Sequence, residues 1–147
     1  MPSAPGAAHA AVSTALRAQV QQFYVHQLGL LDDGRPDDWV ELFTEDADFL
    51  EVTGNHLHGR DAIRESIRRR AEQVATTGLD FFRHWLGMLQ VSARSDGSLQ
   101  TRSCALAMYT PSGGTVRVYV NVVCEDSLVW QQERWMVRSR HLRMDGR

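Results

Sequence analysis

The side chains best suited to chemistry in this 147-residue chain are an imidazole and a carboxylate at the ends of two separate elements. Arg83-His84-Trp85 sets an ionisable ring at the mouth of a strand, Trp85-Leu86-Gly87-Met88-Leu89-Gln90-Val91. A helical pattern upstream ends in the acidic turn Leu31-Asp32-Asp33-Gly34. A neutral imidazole takes a proton near neutral pH, and a carboxylate can orient it or act as the base itself, so such a pair moves protons without metal or cofactor. Strand alternation places Leu86 and Met88 on the face of His84, an apolar wall for a lipophilic substrate. At about 100° per residue, Asp32 and Asp33 fall off the helix's apolar stripe on opposite sides, so periodicity does not choose between them.

Other polar groups are candidates for the same hollow. Alternation groups His141 with Trp135, Val137 and Ser139, which brings its ring inside if that face turns inward. Tyr24 lies near the first helix's stripe, and Tyr109 and Tyr119 lie on strands; a hydroxyl there can polarise a carbonyl, although a core aromatic with one satisfied hydroxyl is the plainer reading. Gln27 falls near the stripe's centre as a buried amide that needs a partner, either Asp32 or a ligand. Trp39 and Phe43 belong to the apolar side of a short second helix and offer further lining. Asp126 reads as the end of a strand. His56 and His58 straddle a hairpin with no third ligand at matching spacing, so they read as surface histidines and no metal site is expected. Arg68-Arg69-Arg70 reads as a solvated helix face. Cys104 and Cys124 sit in apolar runs and read as buried, reduced thiols.

Composition excludes several classes. A formal net charge of −2 gives no electrostatic case for nucleic acid. No apolar run approaches the roughly twenty residues that a membrane span requires. All 16 basic residues are arginine, which removes lysine Schiff bases, pyridoxal phosphate attachment and a Walker-A loop. No Gly-x-Ser-x-Gly elbow is present. Residues 1–10 read as a disordered tail without the pattern of a signal peptide, and 11–147 as one domain, with a cytoplasmic location expected by default.

The elements that must position these groups follow from pattern and punctuation. Apolar residues from Val12 to Leu31 recur at helical spacing, Gly34 stops that helix, and Pro36 opens the short second one. A strand over Ala47–Val52 turns at Thr53-Gly54-Asn55-His56 and returns to Gly59. A third helix runs from Arg60 to Thr77, ended by Gly78. Four strands are expected at about 84–94, 100–110, 115–126 and 128–142, with hairpin connections at Ser95-Asp96-Gly97-Ser98 and Pro111-Ser112-Gly113-Gly114 and a tighter bend or bulge at Asp126-Ser127. Links that short make neighbouring strands antiparallel, giving an α+β arrangement with helices on one side of a bent sheet.

This order, together with Leu30-Leu31-Asp32-Asp33, Asp38-Trp39-Val40-Glu41-Leu42-Phe43, Asp46-Ala47, His58-Gly59-Arg60-Asp61-Ala62-Ile63, Arg83-His84 and Glu133-Arg134-Trp135-Met136-Val137, resembles the NTF2-like, or SnoaL-like, superfamily. The likeness runs from about Gln21 to Arg143. Two branches are similar: the polyketide cyclases with scytalone dehydratase, and the small subunit of aromatic-ring-hydroxylating dioxygenases. The resemblance implies an NTF2-like cone, three N-terminal helices packed on a strongly curved, mainly antiparallel sheet, with an apolar pocket at its open end. It implies assembly as a homodimer, or a trimer, through the sheet's outer face. It also implies His84 as the principal acid/base, since scytalone dehydratase opens the corresponding strand with a catalytic histidine. Asp32 is favoured over Asp33 as its orienter or partner base, with His141 or a tyrosine stabilising an enol(ate). Several members carry a polar pocket residue where this chain has Asp126; a turn-forming aspartate is the alternative.

The expected function is a cofactor-independent cyclase, dehydratase or isomerase acting on a lipophilic, polyketide-like intermediate of specialised metabolism. Its rivals are a non-catalytic subunit beside a Rieske-type partner and a pocket that templates a pericyclic closure. An epoxide hydrolase wants paired carboxylates around an arginine, a triad that the sequence does not assemble.

Overall fold

The structure, a computed structural model, describes residues 9–76 and 82–146. Residues 1–8 of the expected tail, and the expected helix stop at Thr77-Gly78, lie outside the described residues. His9 and Ala10, read as tail, instead belong to a short strand, β1 (His9–Ala11). Ser13 then caps α1 (Thr14–Asp32), its hydroxyl accepting the Leu16 N–H at 3.1 Å. The helix closes with Asp33 N–H on the Gly29 carbonyl and Arg35 N–H on that of Leu30. Gly34, at φ +71, supplies the left-handed residue that this reversal requires.

Pro36 opens α2, a single turn of five residues (Pro36–Val40). Phe43, expected on that helix, instead starts β2 (Phe43–Leu50), which turns back into β3 (His56–His58). Gly59, at φ +90, leads into α3 (Arg60–Thr76). The long strands follow: β4 (Phe82–Arg94), β5 (Leu99–Tyr109), β6 (Arg117–Gln131) and β7 (Arg134–Met144). The bend or bulge expected at Asp126-Ser127 does not end the strand: a register shift against β7 falls just after Ser127, but both residues are buried inside β6, and the chain reverses at Gln132-Glu133, where both φ angles are positive.

One curled, unclosed sheet runs in the order β1-β4-β5-β6-β7-β2-β3. Every pairing is antiparallel except β2 with β7. The helices sit in its hollow, and Val20, Trp39, Phe43, Ile63, Leu128 and Val137 are almost wholly removed from water there. Burial of one such aliphatic or aromatic side chain contributes about 1.5–3 kcal/mol, so the hollow is where the sheet's curvature is stabilised.

Three bulges decide which side chains enter that hollow. In β4, Gly87 pairs with Cys104 and Gln90 with Arg102, so Met88 and Leu89 share one partner. Met88 takes φ +54 and is 82% exposed, while Leu89 takes the inward place. The expected Leu86–Met88 wall is thus corrected: Leu86 packs on the core and Met88 does not. In β6, Val120 pairs with Ala107 and Val118 with Met108, leaving Tyr119 as the extra, exposed residue instead of a pocket group. In β7, Ser139 pairs with Ser127 and Val137 with Leu128, so Arg138 is extra and the alternation changes phase. Arg140 then points inward, and His141, expected inside, is exposed.

Candidate active site

Asp32 is the last residue of α1, and His84 lies near the start of β4, against which that helix packs. The Asp32 carboxylate accepts the His84 backbone N–H at 3.1 Å on each oxygen and meets ring Nδ1 at 2.7 Å. A carboxylate only accepts, so Nδ1 carries its hydrogen and Nε2 is the nitrogen at which a neutral ring takes up a proton. The backbone contact locks the start of the strand to the helix end, so the ring's orientation does not depend on its own hydrogen bond alone. Both side chains are partly buried, His84 at 22% and Asp32 at 18% exposed. Asp33 is exposed, and its role is to cap the helix. Fold geometry, not helical phase, therefore selects Asp32.

Deeper in the cone lies a second polar group that has no access to water. The Tyr24 hydroxyl donates to Asp126 Oδ2 at 2.6 Å and lies 2.6 Å from Thr101 Oγ1. Arg140 reaches Asp126 with Nε and Nη2, each at 2.9 Å, and its Nη2 also donates to Gln27 Oε1 at 2.7 Å. Cys124 Sγ–H points at Asp126 Oδ1 at 3.2 Å. The guanidinium lies over the Phe43 ring, 5.2 Å from its centroid. Burial works against the Arg140 charge, but the adjoining Asp126 more than offsets it and raises the guanidinium's pKa. Burial first, and then Asp126, push both the Tyr24 hydroxyl and the Cys124 thiol well up, so both stay protonated. A doubly hydrogen-bonded Arg–carboxylate pair of this kind is a strut: removing either partner costs about 3–5 kcal/mol.

Gln27 completes the strut at one end only. Its Oε1 is committed to Arg140, yet its Nε2 has no hydrogen-bond partner although the residue is fully buried. A buried donor left in that state costs about 1–3 kcal/mol. Arg140 carries no acceptor, so the amide cannot turn round to relieve it.

The remaining candidates divide. Trp39 and Phe43 stack edge to face at 4.8 Å within the core. Trp39, whose indole N–H is also unpartnered, lines a cleft of about 30 Å³ with Glu51 and Ile67, room for one water and not for a substrate. Tyr109 is half-buried at the end of β5. Asp126, read as a strand end, is the centre of the buried strut. Cys104, expected inside, is exposed, while Cys124 is buried. His56 and His58 are exposed and share Asp48 Oδ1 at 3.0 and 2.8 Å. Among the described residues no group of three or more His, Cys, Asp or Glu side chains could hold a metal ion. The arginine triplet is paired on the surface, to Asp37, Glu65 and Glu51. Arg140 was missed in the sequence; β7 carries four arginines, and the available signal was that one of them could face Asp126 across a hairpin. No helix of the described residues is long and apolar enough to cross a membrane.

No curated protein matches the chain at a significant level. Among solved structures, Aln2 from a Streptomyces species is similar over 92% of this chain and 94% of its own, at 29% identity and a TM-score of 0.85. ActVI-ORFA from Streptomyces coelicolor is similar over 92% and 98%, at 26% identity and a TM-score of 0.84. A Catenulispora acidiphila protein in complex with S-DNPA is similar over 90% and 96%, at 27% identity and a TM-score of 0.79. The family model of the SnoaL-like domain spans residues 12–141. With a helix-filled cone and that match over nearly its whole length, the chain belongs to the SnoaL-like domain family of the NTF2-like superfamily.

Proposed function

We propose that the protein is a cofactor-independent cyclase, dehydratase or isomerase that works by proton transfer on a lipophilic, carbonyl-bearing small molecule of polyketide type. The observation that carries this reading is the double hold of Asp32 on His84, ring and backbone together. It fixes the orientation of a ring that is partly shielded from water, two residues before Leu86, which packs on the core. The three reactions share a first step. His84 Nε2 takes a proton from the carbon next to the carbonyl, the C–H electrons form an enolate, and Asp32 stabilises the imidazolium. In a dehydration the imidazolium then returns that proton to the departing β-hydroxyl; the C–O bond breaks, the C=C bond forms and water leaves. In an isomerisation the proton returns to another carbon; in a cyclisation the enolate carbon attacks a second carbonyl, its C=O π electrons move onto oxygen, and the alkoxide so formed takes the proton back from the imidazolium. The S-DNPA bound by the Catenulispora acidiphila neighbour supports a small-molecule occupant.

The assay is turnover of β-hydroxy ketones and polyketide-type aromatic ketones, followed by chromophore growth and product mass. His84→Ala lowers the rate about 10²–10⁴-fold with the fold intact. Unchanged turnover in that variant defeats the reading.

We infer also that two copies pair through the sheet's convex face, where Trp85, Met88 and Val118 are exposed beyond half their surface. Trp85→Glu makes a dimer sediment as a monomer; wild-type protein that sediments as a monomer overturns this.

A further inference from the structure

Among the described residues, Glu51 is the buried acid that neither the dyad nor the strut employs. It directly follows β2, and alternation sets it on the face of Phe49, toward the hollow. The turn pins its backbone: Glu51 N–H donates to the Asn55 carbonyl and Gly54 N–H to that of Glu51, each at 2.9 Å. The side chain, 8% exposed, accepts the Ser66 hydroxyl at 2.7 Å on Oε1 and Arg70 Nη2 at 3.3 Å on Oε2. Both donors come from α3, one turn apart. An ionised carboxylate offers about four acceptor sites, so two donors, one of them distant, leave capacity to accept another.

A second observation is the space beside that carboxylate. Glu51 lines the cleft of about 30 Å³, whose other walls include Phe49, Leu57, Ile67 and Leu142. Such a volume admits one water or one hydroxyl group, and no ring. Trp39 lines the same cleft, and its buried indole N–H has no hydrogen-bond partner among the described residues. An acceptor and a donor around a hydroxyl-sized space match what a hydroxyl carries, one hydrogen and two lone pairs. Leu57, Ile67 and Leu142 are only partly buried and Arg70 is half exposed, so the cleft opens outward across apolar side chains.

We propose that this cleft is a subsite for the hydroxyl of a phenol or alcohol with a lipophilic body. The hydroxyl enters and donates to Glu51, the Trp39 indole N–H donates to its oxygen, and the apolar body stays outside on Leu57, Ile67 and Leu142. No proton is exchanged here, and the proposal does not depend on the role given to His84.

The test compares equilibrium binding of phenol and fluorobenzene, which are close in size although only phenol donates a hydrogen bond. Wild-type protein binds phenol about tenfold more tightly, the lower range for a hydrogen bond to a charged group. The ¹⁵N-labelled indole signal of Trp39 shifts with phenol and not with fluorobenzene, a reading that needs no variant. Glu51→Gln keeps an acceptor for Ser66 but loses the charge, and the preference falls to about threefold. In Glu51→Met, which has no strong acceptor, the preference disappears. Equal binding of the two compounds by wild type, binding of neither, an unmoved Trp39 signal, or a preference that survives in Glu51→Met overturns the proposal. The catalytic reading fails separately, on turnover in His84→Ala, a variant expected to keep the phenol preference.

Discussion

The chain contains two aspartate–imidazole contacts of nearly equal length and very different settings. Asp32 meets His84 at 2.7 Å with both side chains about four-fifths buried, whereas Asp48 meets His58 at 2.8 Å with side chains 42% and 72% exposed. Residue type and distance are the same, so neither marks a reactive site. What differs is the scaffold. Asp48 sits on a short edge hairpin, shared between His56 and His58, where water competes for every contact. Asp32 sits where a helix end and a strand start are packed together, and it also holds the strand's backbone. A third aspartate extends the series: Asp126, with its side chain wholly buried, is saturated by Arg140, Tyr24 and Cys124 and has become structure. The proposed chemistry is assigned to the middle depth, shielded enough to fix geometry and open enough to exchange a proton.

The sharpest way to break this comparison is to remove each imidazole in turn. His84→Ala is expected to lower turnover about 10²–10⁴-fold. His58→Ala is expected to leave it unchanged, and its thermal midpoint close to wild type, because solvent screens an exposed pair. Equal losses in the two variants would show that depth does not separate them.

The buried member answers through stability instead of rate. Arg140→Leu leaves the Asp126 carboxyl in the core without its cationic partner and should cost about 3–5 kcal/mol, read as a lower urea midpoint at unchanged slope. The double replacement of Arg140 and Asp126 by Leu should recover much of that loss, because two apolar groups need no partner. An Arg140→Leu protein as stable as wild type would mean that water reaches Asp126 and that the series has no buried end.

The thiols provide a smaller contrast on one sheet. Cys104 faces out from β5 and Cys124 faces in from β6 beside Asp126, where burial and that carboxylate hold the thiol protonated. A thiol reagent should titrate one equivalent at once and the second only on unfolding. Two equally fast thiols would place Cys124 within reach of solvent.

These contrasts also explain which parts of the molecule were legible in the sequence. The stripe of α1, the stops at Gly34 and Gly54 and the hairpin at Gly97 are local signals, and they return an α+β arrangement with helices on one side of a bent sheet, every element but β1 in order; the cone came from the family resemblance. That the acidic helix end would meet His84 was legible because a helix end and a strand start are both locally marked; the choice of Asp32 over Asp33 came from the family resemblance. The bulges were not: Met88, Tyr119 and Arg138 are ordinary residues whose extra place in the strand is set by partners far along the chain. Each shifts alternation by one, and the errors at Met88, Tyr119 and His141 are that shift. Asp126-Ser127 resembles a turn, yet Asp126 is buried because Arg140, fourteen positions later, neutralises it. The true turn, Gln132-Glu133, has positive φ at residues that rarely mark one.

The smallest expected effect comes from the exposed member. The hydrogen bond from Asp48, then its charge, raises the His58 pKa, and the hydrogen bond from His58 lowers that of Asp48. A raised His58 contributes stability that is complete below its unfolded pKa, about 6.5, and fades as pH climbs through the folded value. A depressed Asp48 contributes stability that is complete above its unfolded pKa, about 3.9, and fades as pH falls through the folded value. The two overlap between about pH 4 and pH 6.5. The melting difference between wild type and Asp48→Asn should therefore be greatest near pH 5, shrink toward pH 8, and shrink at pH 5 when about 1 M salt screens the pair. A difference that grew with pH, or resisted salt, would place this hairpin acid in a shielded setting like that of Asp32 and erase the contrast between the two imidazoles.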